Sequence, residues 1–326
     1  MRIAVTGSIA TDHLTTFPGR FSEHLLPDQL ASLSLSFLVD DLQVRRGGVA
    51  ANITFGLGLL GFTPLLVGAV GTDFAEYGAW LRGHGVDISH VKVSEHSQTA
   101  RFICITDSDQ NQIAAFYPGA MAEARHISLA DVTASWGRPS LVVIAPDDPL
   151  AMQRHTSESR QLGIPYAADP SQQLARLGDE EVRRLVDGAQ VLFSNEYEAA
   201  LLCERTGWTE PQVLDRVGTW VTTRGADGVT VATRGEAVLT LPAVPSEKAV
   251  DPTGVGDGFR AGYLGGVSRG LSKERAAQLG CALATTVLEA VGTQEYRLSD
   301  DLLARVADTY GAGASADIAR CVEVPV

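Results

Sequence analysis

Residues 251–259 combine an anion-binding pattern with a carboxylate. Glycines occupy positions 254, 256 and 258, Asp257 stands between the last two, and an apolar, helix-compatible run begins at position 259. A glycine-rich turn that leads into a helix directs backbone N–H groups at an anion, at the positive end of the helix dipole. A carboxylate there repels the anion, so its presence makes sense if it takes a proton from a nucleophile that attacks the anion. The segment therefore predicts phosphoryl transfer, with Asp257 as the base and Gly254, Val255 and Gly256 forming the anion site.

Other glycine-rich motifs fit this segment less well. The chain contains no Gly-x-x-x-x-Gly-Lys-Ser/Thr, so it is not a P-loop enzyme. The spacing Gly254-x-Gly256-x-Gly258 also differs from the dinucleotide pattern Gly-x-Gly-x-x-Gly, which argues against a nicotinamide or flavin oxidoreductase. The remaining alternative is a turn that only caps a buried helix, with Asp257 as a first-turn acid.

The composition indicates a globular protein with one large core. The chain has 326 residues, of which 45% are hydrophobic and 20% are charged. Its net charge of −13 argues against broad binding to nucleic acid or to anionic membranes. The four cysteines, at positions 104, 203, 281 and 321, form no Cys-x-x-Cys pair, and neither a signal peptide nor an 18-residue apolar stretch is recognisable. We therefore predict isolated thiols in a cytoplasmic protein without membrane spans.

Apolar runs of strand length alternate with helical stretches, which predicts an α/β fold around a mainly parallel sheet. The predicted strands cover residues 3–7, 64–70, 141–145, 166–168, 191–193 and 220–223, and the predicted helices lie near residues 50–60, 75–84, 151–162, 197–205 and 274–291. A long non-helical segment at 15–44 and a β-hairpin of residues 100–106 and 112–117 interrupt this alternation. Ligands of open α/β sheets bind beyond the carboxyl ends of the strands, so we expect both excursions to form a lid there. Residues from 311 onward are weakly patterned and receive no role.

Polar residues follow the predicted strands. Asp12, just after the first strand, can accept hydrogen bonds from two sugar hydroxyls, and a Gly47-Gly48 pair leads into a helix whose Asn52 amide can bond a hydroxyl. Asn195 can cap a helix and lies one turn from Glu198, so their oxygen atoms can hold the water shell of Mg²⁺. The glycine-rich run that starts at Thr223 suits a nucleoside triphosphate lying along the backbone. Taken singly, each pattern also fits an ordinary surface turn.

Together and in this order, the motifs resemble those of the ribokinase-like family of sugar and nucleoside kinases. The matching motifs are Gly47-Gly48…Asn52, Asn195-x-x-Glu198, Thr223-x-Gly225-x-x-Gly228 and Asp251-x-Thr-Gly-x-Gly-Asp257. The resemblance extends to about residue 291, and it is closest to bacterial adenosine kinases of mycobacterial type. It implies a three-layer α/β/α, Rossmann-like domain over residues 1–326, with a small β-sheet lid from about residues 12–46 and 99–118. The chain departs from the usual pattern at Pro252, which lacks a backbone donor, and at Gly258.

The resemblance also implies a role for each matching position. Asp257 accepts the proton of the adenosine 5′-hydroxyl as it attacks the γ-phosphoryl group of ATP. Ser8, Asp12, Gly48 and Asn52 bind the substrate, and Asp12 and Asn52 orient its ribose. Asn195, Thr223, Gly225 and Gly228 bind the nucleotide, Glu198 serves Mg²⁺, and Asp251 serves a K⁺ site. Pairing of two lids implies a homodimer.

The identity of the acceptor depends on the predicted lid and its surroundings. Adenine needs a flat apolar slot, and Phe102 and Phe116 can supply its two faces, although they can also pack against a partner subunit. Gln172 and Gln173 can bond purine nitrogens or ribose hydroxyls, or be ordinary loop residues. A phosphosugar would instead require basic residues, and the candidates are Arg45, Arg46 and Arg101.

The predicted activity is therefore adenosine kinase, with ATP and adenosine as partners. A sugar kinase acting on ribose or a ketose is the alternative within the same enzyme class. A non-catalytic nucleoside-binding protein is the alternative outside that class, and Asp257 argues against it because a binding protein gains nothing from the acid.

Overall fold

The protein is described by a computed structural model that covers residues 1–24, 35–299, 301–320 and 322. The strands are β1 (Ile3–Thr6), β2 (Ala10–Thr16), β3 (Asp41–Gly47), β4 (Leu65–Val70), β5 (Asp87–Val93), β6 (Ala100–Thr106), β7 (Gln112–Tyr117), β8 (Leu141–Ile144), β9 (Tyr166–Ala168), β10 (Val191–Asn195), β11 (Thr219–Thr223), β12 (Val229–Ala232) and β13 (Leu239–Leu241). The helices are α1 (Phe21–His24), α2 (Val49–Leu59), α3 (Ala75–Gly83), α4 (Leu129–Trp136), α5 (Pro149–Gln161), α6 (Asp179–Val186), α7 (Glu196–Thr206), α8 (Glu210–Leu214), α9 (Val255–Ser268), α10 (Lys273–Leu288), α11 (Leu302–Tyr310) and α12 (Ala312–Ala319).

Within the described residues, the central sheet has nine strands in the order β13-β12-β11-β10-β9-β8-β1-β4-β5. The strands from β11 to β5 pair in parallel, and β12 and β13 add an antiparallel edge. Parallel strands that are covered on both faces consist almost entirely of apolar residues. All residues of β4, for example, are buried. This explains why the inner strands were recognisable in the sequence.

Helices cover both faces of this sheet, which confirms the predicted three layers. Side chains alternate between the faces because the strand period is two residues. Ile3 and Val5 pack into one core together with α2, α3 and α9–α12, whereas Ala4 packs into the other core together with α4–α8. The residues from 311 onward, which received no role, therefore contribute α12 and its buried Ile318 to the first core.

A second, smaller sheet has the order β3-β2-β6-β7 within the described residues. It includes the predicted hairpin, with strand bounds that match the prediction. Strands β2 and β3 and the helical turn α1 lie in or next to the segment predicted as non-helical, so that prediction is wrong for Phe21–His24. Residues 25–34 of that segment lie outside the described residues.

Three of the four cysteines lie in the described part of the chain. Cys104, Cys203 and Cys281 are free thiols, and Cys321 lies outside the described residues. None of the helices in the described ranges is long and apolar enough to cross a membrane.

Candidate active site

A cavity of about 780 Å³ lies between the carboxyl ends of the central strands and one face of the small sheet. Most predicted site residues line it: Ser8, Asp12, Gly48, Asn52, Phe102, Phe116, Gln172, Gln173, Asn195, Glu198, Thr223, Gly225, Gly254, Gly256 and Asp257. Because the strands are parallel, residues that follow β1, β9, β10 and β11 meet at this edge of the sheet.

A second cavity of about 630 Å³ adjoins the first. Thr223, Gly225 and Gly256 line both cavities. The predicted residues Val255 and Gly228 line only the second one, with an apolar set that includes Val244, Phe259, Cys281, Ala284 and Leu288. The site therefore consists of two compartments that meet at the glycine-rich loop, a polar one and a largely apolar one.

The glycine-rich loop starts helix α9 at Val255, earlier than the apolar run suggested. Gly254 caps the helix in the left-handed conformation, with φ 78°. A Cβ at this position would lie 2.9 Å from the Cβ of Thr293, so only glycine fits. Val255 N donates to the Pro252 carbonyl at 3.4 Å, whereas the N–H groups of Gly256 and Asp257 have no carbonyl partner within the helix and can bind an anion.

Asp257 lies in that first turn, and its side chain is almost buried. Its Oδ2 accepts a hydrogen bond from Asn52 Nδ2 at 2.8 Å. Burial raises the pKa of Asp257 to about 6, although the Arg260 guanidinium and the Asn52 hydrogen bond lower it and Glu198 raises it further. Asp257 is therefore a carboxylate near neutral pH, and its pKa is close enough to 7 for it to accept a proton.

Asn52 donates a hydrogen bond to Asp257 and so helps to hold that carboxylate in place. This contact differs from the predicted hydrogen bond between Asn52 and a sugar hydroxyl. Its Oδ1 accepts hydrogen bonds from Thr293 Oγ1 and from Gln294 Nε2, both at 2.9 Å. Gln294 Nε2 also donates to Tyr77 Oη at 2.6 Å. These bonds fix the amide so that its NH₂ group points at the carboxylate. The partners lie far apart in the sequence, so no local sequence pattern predicts these hydrogen bonds.

Helix α2, which carries Asn52, begins where the backbone passes close to β1. Gly48 has φ 96°, and a Cβ there would lie 2.6 Å from the carbonyl oxygen of Ser8. Ser8 Oγ accepts a hydrogen bond from Val49 N at 3.0 Å. The predicted substrate residues Ser8 and Gly48 therefore also set the start of α2.

Asp12 faces the cavity from β2, opposite Arg45 on β3 and Phe102 on β6. Burial raises the pKa of Asp12 to about 6, with Asp251 and Asp257 adding to the shift and Arg45 opposing it. Its position at the wall of the cavity suits hydrogen bonds to ligand hydroxyls.

The two phenylalanines form one wall of the cavity and not the two faces of a slot. Phe102 on β6 pairs directly with Phe116 on β7. Directly opposite residues of an antiparallel pair project to the same side of the sheet, so these rings lie side by side. The predicted sandwich is therefore wrong, although both rings line the cavity.

The two glutamines differ in their exposure. Gln172 is exposed at the rim, whereas Gln173 is only 5% exposed. The Oε1 of Gln173 is buried and has no hydrogen-bond partner among the described residues. A buried acceptor without a partner is costly, so this atom is a candidate contact for a ligand N–H or O–H group.

Asn195 caps helix α7, which confirms that prediction. Asn195 Oδ1 accepts from Glu198 N at 2.7 Å, and Glu198 Oε2 accepts from Asn195 N at 2.8 Å. Glu198 Oε1 accepts from Ser171 Oγ at 3.2 Å. Among the described residues, no group of three His, Cys, Asp or Glu side chains could hold a metal by itself. A metal here would depend on water and ligand oxygens.

The basic residues considered for a phosphosugar are engaged elsewhere. Arg45 contacts Asp251, Arg46 pairs with Glu295, and Arg101 pairs with Asp73. None of the three arginines lines the cavity. Asp251 itself lines neither cavity.

The sequence pattern of the pfkB family carbohydrate kinases matches residues 12–300. The chain belongs to the pfkB family of carbohydrate kinases. A nucleoside kinase from Methanothermobacter thermautotrophicus is 33% identical over 273 residues, which cover 82% of this chain and 86% of that protein. A nucleoside kinase from Burkholderia thailandensis, solved in complex with inosine, is 34% identical, with a TM-score of 0.82 over 95% of this chain and 98% of that chain. The nucleoside kinase of Methanocaldococcus jannaschii superposes with a TM-score of 0.83 at 26% identity and covers 94% of this chain and 99% of that chain.

Asp257 lies beside the anion-binding loop, where a carboxylate can accept a proton from an attacking hydroxyl group. Asp257→Asn keeps the size and the polarity of the side chain but cannot accept that proton. We expect kcat to fall by about 10²–10⁴-fold, the range for a lost general base, with little change in acceptor affinity. Steady-state kinetics, with calorimetry of acceptor binding, measures both quantities. A variant that turns over at the wild-type rate would show that Asp257 is not the base.

Proposed function

We propose that the protein is an ATP-dependent nucleoside kinase that phosphorylates the 5′-hydroxyl of a purine nucleoside, with adenosine as the predicted acceptor and purine salvage as the role. The observation that supports this most is the position of Asp257, which lines the polar cavity on a loop whose Gly256 also borders the apolar one. An acceptor in the first cavity and ATP in the second would therefore meet at the base. The nucleoside kinases among its relatives support the same acceptor class.

The polar cavity suits a nucleoside better than a pentose alone. Asp12 can hold ribose hydroxyls, while the wall of Phe102 and Phe116 offers a flat apolar surface to a base. The Gln173 Oε1 atom, which has no partner within the described ranges, can accept a hydrogen bond from a purine N–H group. Ribose or a ketose would leave the aromatic wall without a ligand, which makes the sugar-kinase alternative weaker.

The proposed transfer takes place at the glycine-rich loop. The 5′-oxygen forms a bond to the γ-phosphorus as the bond to the β,γ-bridging oxygen breaks, and the hydroxyl proton passes to Asp257. ADP is the leaving group. Backbone N–H groups of the first turn of α9 stabilise the charge on the transferred group, since they are already oriented before the reaction.

The residues near α7 fit a magnesium ion that is held with ATP. Mg²⁺ usually binds through one or two carboxylates, waters and substrate phosphates. Glu198 supplies one carboxylate at the cavity wall, and Asn195 lies beside it. When bound, the ion would neutralise negative charge on the phosphates. A cytoplasmic location is part of the same proposal, supported by the free thiols of Cys104, Cys203 and Cys281.

The K⁺ site implied at Asp251 does not fit the contacts of that carboxylate. Oδ1 accepts a hydrogen bond from Thr253 N at 2.9 Å, and Oδ2 accepts from Gly292 N at 3.0 Å. Arg45 Nη1 lies 3.5 Å from the same Oδ2. Both oxygens are thus engaged by backbone donors, and a K⁺ ion beside them would be repelled by the guanidinium. Arg45 therefore supplies the positive charge at Asp251.

We therefore expect turnover not to depend on a monovalent metal cation bound at Asp251. We expect equal wild-type rates in KCl, NaCl and choline chloride of the same ionic strength. Arg45→Met should lower the rate and make it respond to KCl, while the matched variant Arg101→Met, which loses a lid ion pair with Asp73, should not gain that response. A rise of the wild-type rate with KCl would contradict the assignment.

The outer face of the small sheet supports the proposed homodimer. Leu42, Val44, Ile103 and Ile113 project away from the cavity and are 60%, 57%, 40% and 43% exposed. Within the described ranges, no further strand pairs with the edge strands β3 and β7. Adjacent apolar side chains on an open sheet favour burial against a second copy.

We expect the wild-type protein to sediment as a dimer and Ile113→Lys to sediment as a monomer, because a buried lysine would be left unpaired. Val238→Lys, which changes a valine that is 58% exposed and lies outside the small sheet, is the control and should remain dimeric. A monomeric wild-type protein at micromolar concentration in analytical ultracentrifugation would refute the dimer.

The acceptor assignment is tested by ADP release with Mg·ATP against adenosine, inosine, guanosine, cytidine, ribose and fructose. Purine nucleosides, and adenosine most strongly, should be turned over. Phe116→Ala should raise their KM about tenfold, since base–aromatic stacking is worth about 1–3 kcal/mol. Ile113→Ala, on the opposite face of the same strand, should leave KM unchanged. Turnover of ribose or fructose, without turnover of any nucleoside, would show that the acceptor is a sugar.

A further inference from the structure

Arg260 lies one turn after Asp257 on α9 and is only 7% exposed. Its Nη2 donates to Asp169 Oδ1 at 2.7 Å, and its Nε lies 2.6 Å from Asp169 Oδ2. Asp169 is completely buried just after β9. A buried ion pair costs much desolvation energy, and well-packed apolar side chains often serve stability equally well. The position of the Arg260–Asp169 ion pair beside the proposed base therefore points to a role in the reaction.

The third guanidinium nitrogen, Nη1, is not used by Asp169. It has no hydrogen-bond partner in the part of the chain that the structure describes, and the side chain lines the polar cavity. A Cβ on Gly256 would lie 2.6 Å from Nη1, so this nitrogen lies directly against the anion loop. The absence of a side chain at Gly256 therefore leaves room for the guanidinium in this position.

We propose that Arg260 is a further catalytic residue, which Asp169 holds through Nε and Nη2 so that Nη1 can contact the transferred phosphoryl group. The proposal rests on the proposed kinase function and extends it. An arginine fixed by a two-point contact loses little freedom when it binds a phosphoryl oxygen, and its charge is permanent. In a site with little water, such a charge stabilises the transition state more than it would in solvent.

The surrounding charges make this cation necessary. Asp257 on α9, Glu198 on α7, Asp169 after β9 and Asp12 on β2 are all carboxylates close to the site of transfer. Incoming phosphates would be repelled by this set. The guanidinium offsets that charge, and it also lowers the pKa of Asp257, while Asn52 on α2 adds a neutral hydrogen bond.

The test compares Arg260→Met and Arg260→Lys with the wild-type full chain, using the best acceptor of the panel. Arg260→Met should lower kcat by about 10²–10³-fold, the loss expected for one charge-stabilising donor. Acceptor affinity measured by calorimetry should change little. The acid limb of the kcat–pH profile should move to higher pH, because Asp257 loses a neighbouring cation. Arg260→Lys should restore part of kcat and most of the pH profile.

Arg275→Met is the matched control. It removes an arginine that pairs with Asp317 away from the cavity, so kcat and its pH profile should stay unchanged. Arg260→Met can fail to fold because it leaves Asp169 as a buried charge without a partner. In that case, the double variant Asp169→Leu/Arg260→Met removes both charges, and its kcat and pH profile test the role of Arg260. A double variant that folds and keeps the wild-type kcat and pH profile would overturn the proposal.

A second measurement does not depend on the acceptor. Tetrafluoroaluminate mimics the transferred phosphoryl group, so it should tighten ADP binding to the wild-type protein and to Arg275→Met but not to Arg260→Met. If no acceptor in the panel is turned over, the proposed kinase substrate is wrong while this binding assay still tests Arg260. Equal tightening in all three proteins would show that Arg260 does not contact the transferred group.

Discussion

The site depends on keeping the buried carboxylate of Asp257 ionised beside a helix N-terminus that can bind an anion. Burial works against the charged form of Asp257, and so do Glu198 and any phosphate that enters. Two contacts work in the other direction, the amide of Asn52 and the guanidinium of Arg260. The first is fixed by Thr293 and Gln294, and the second by the buried Asp169. The buried polar residues around the site therefore hold the Asn52 amide and the Arg260 guanidinium beside the Asp257 carboxylate.

The fold brings these groups together because its strands are parallel. Asp169 follows β9, Asn195 ends β10 and Thr223 ends β11, so three neighbouring strands deliver polar side chains to one edge. Helix α9 contributes both Asp257 and Arg260, and its first turn separates the polar cavity from the apolar one. A reaction between two ligands suits this arrangement, since each ligand can enter its own compartment and both reach the same N–H groups.

Features that depend on neighbouring residues could be predicted from the sequence, whereas features that depend on long-range contacts could not. The glycine spacing around Asp257, the cap at Asn195 and the bounds of the hairpin all depend on neighbouring residues. The ion pair between Asp169 and Arg260 joins residues 91 positions apart, and no spacing rule predicts it. The sequence does not predict strand β5, because it is a half-buried edge strand whose polar residues, at 87, 89, 90 and 92, follow no regular alternation. The arrangement of Phe102 and Phe116 depends on the pairing register, which periodicity alone cannot supply.

The small sheet is not attached evenly to the rest of the protein. Its strand β3 is joined to the loops around the anion site through Arg45 and Asp251, through Arg46 and Glu295, and through the Thr293 hydroxyl, which donates to the Arg46 carbonyl at 2.8 Å. The same hydroxyl lies 2.9 Å from Asn52 Oδ1, so its single hydrogen is shared between the Arg46 carbonyl and the residue that contacts Asp257. Strand β7 lies at the opposite edge, and all its residues are exposed. Movement of β3 would therefore disturb the contacts around Asp257. Strand β6 is also tied to the rest of the protein, through Arg101 and Asp73, so movement of β7 alone would disturb these contacts least.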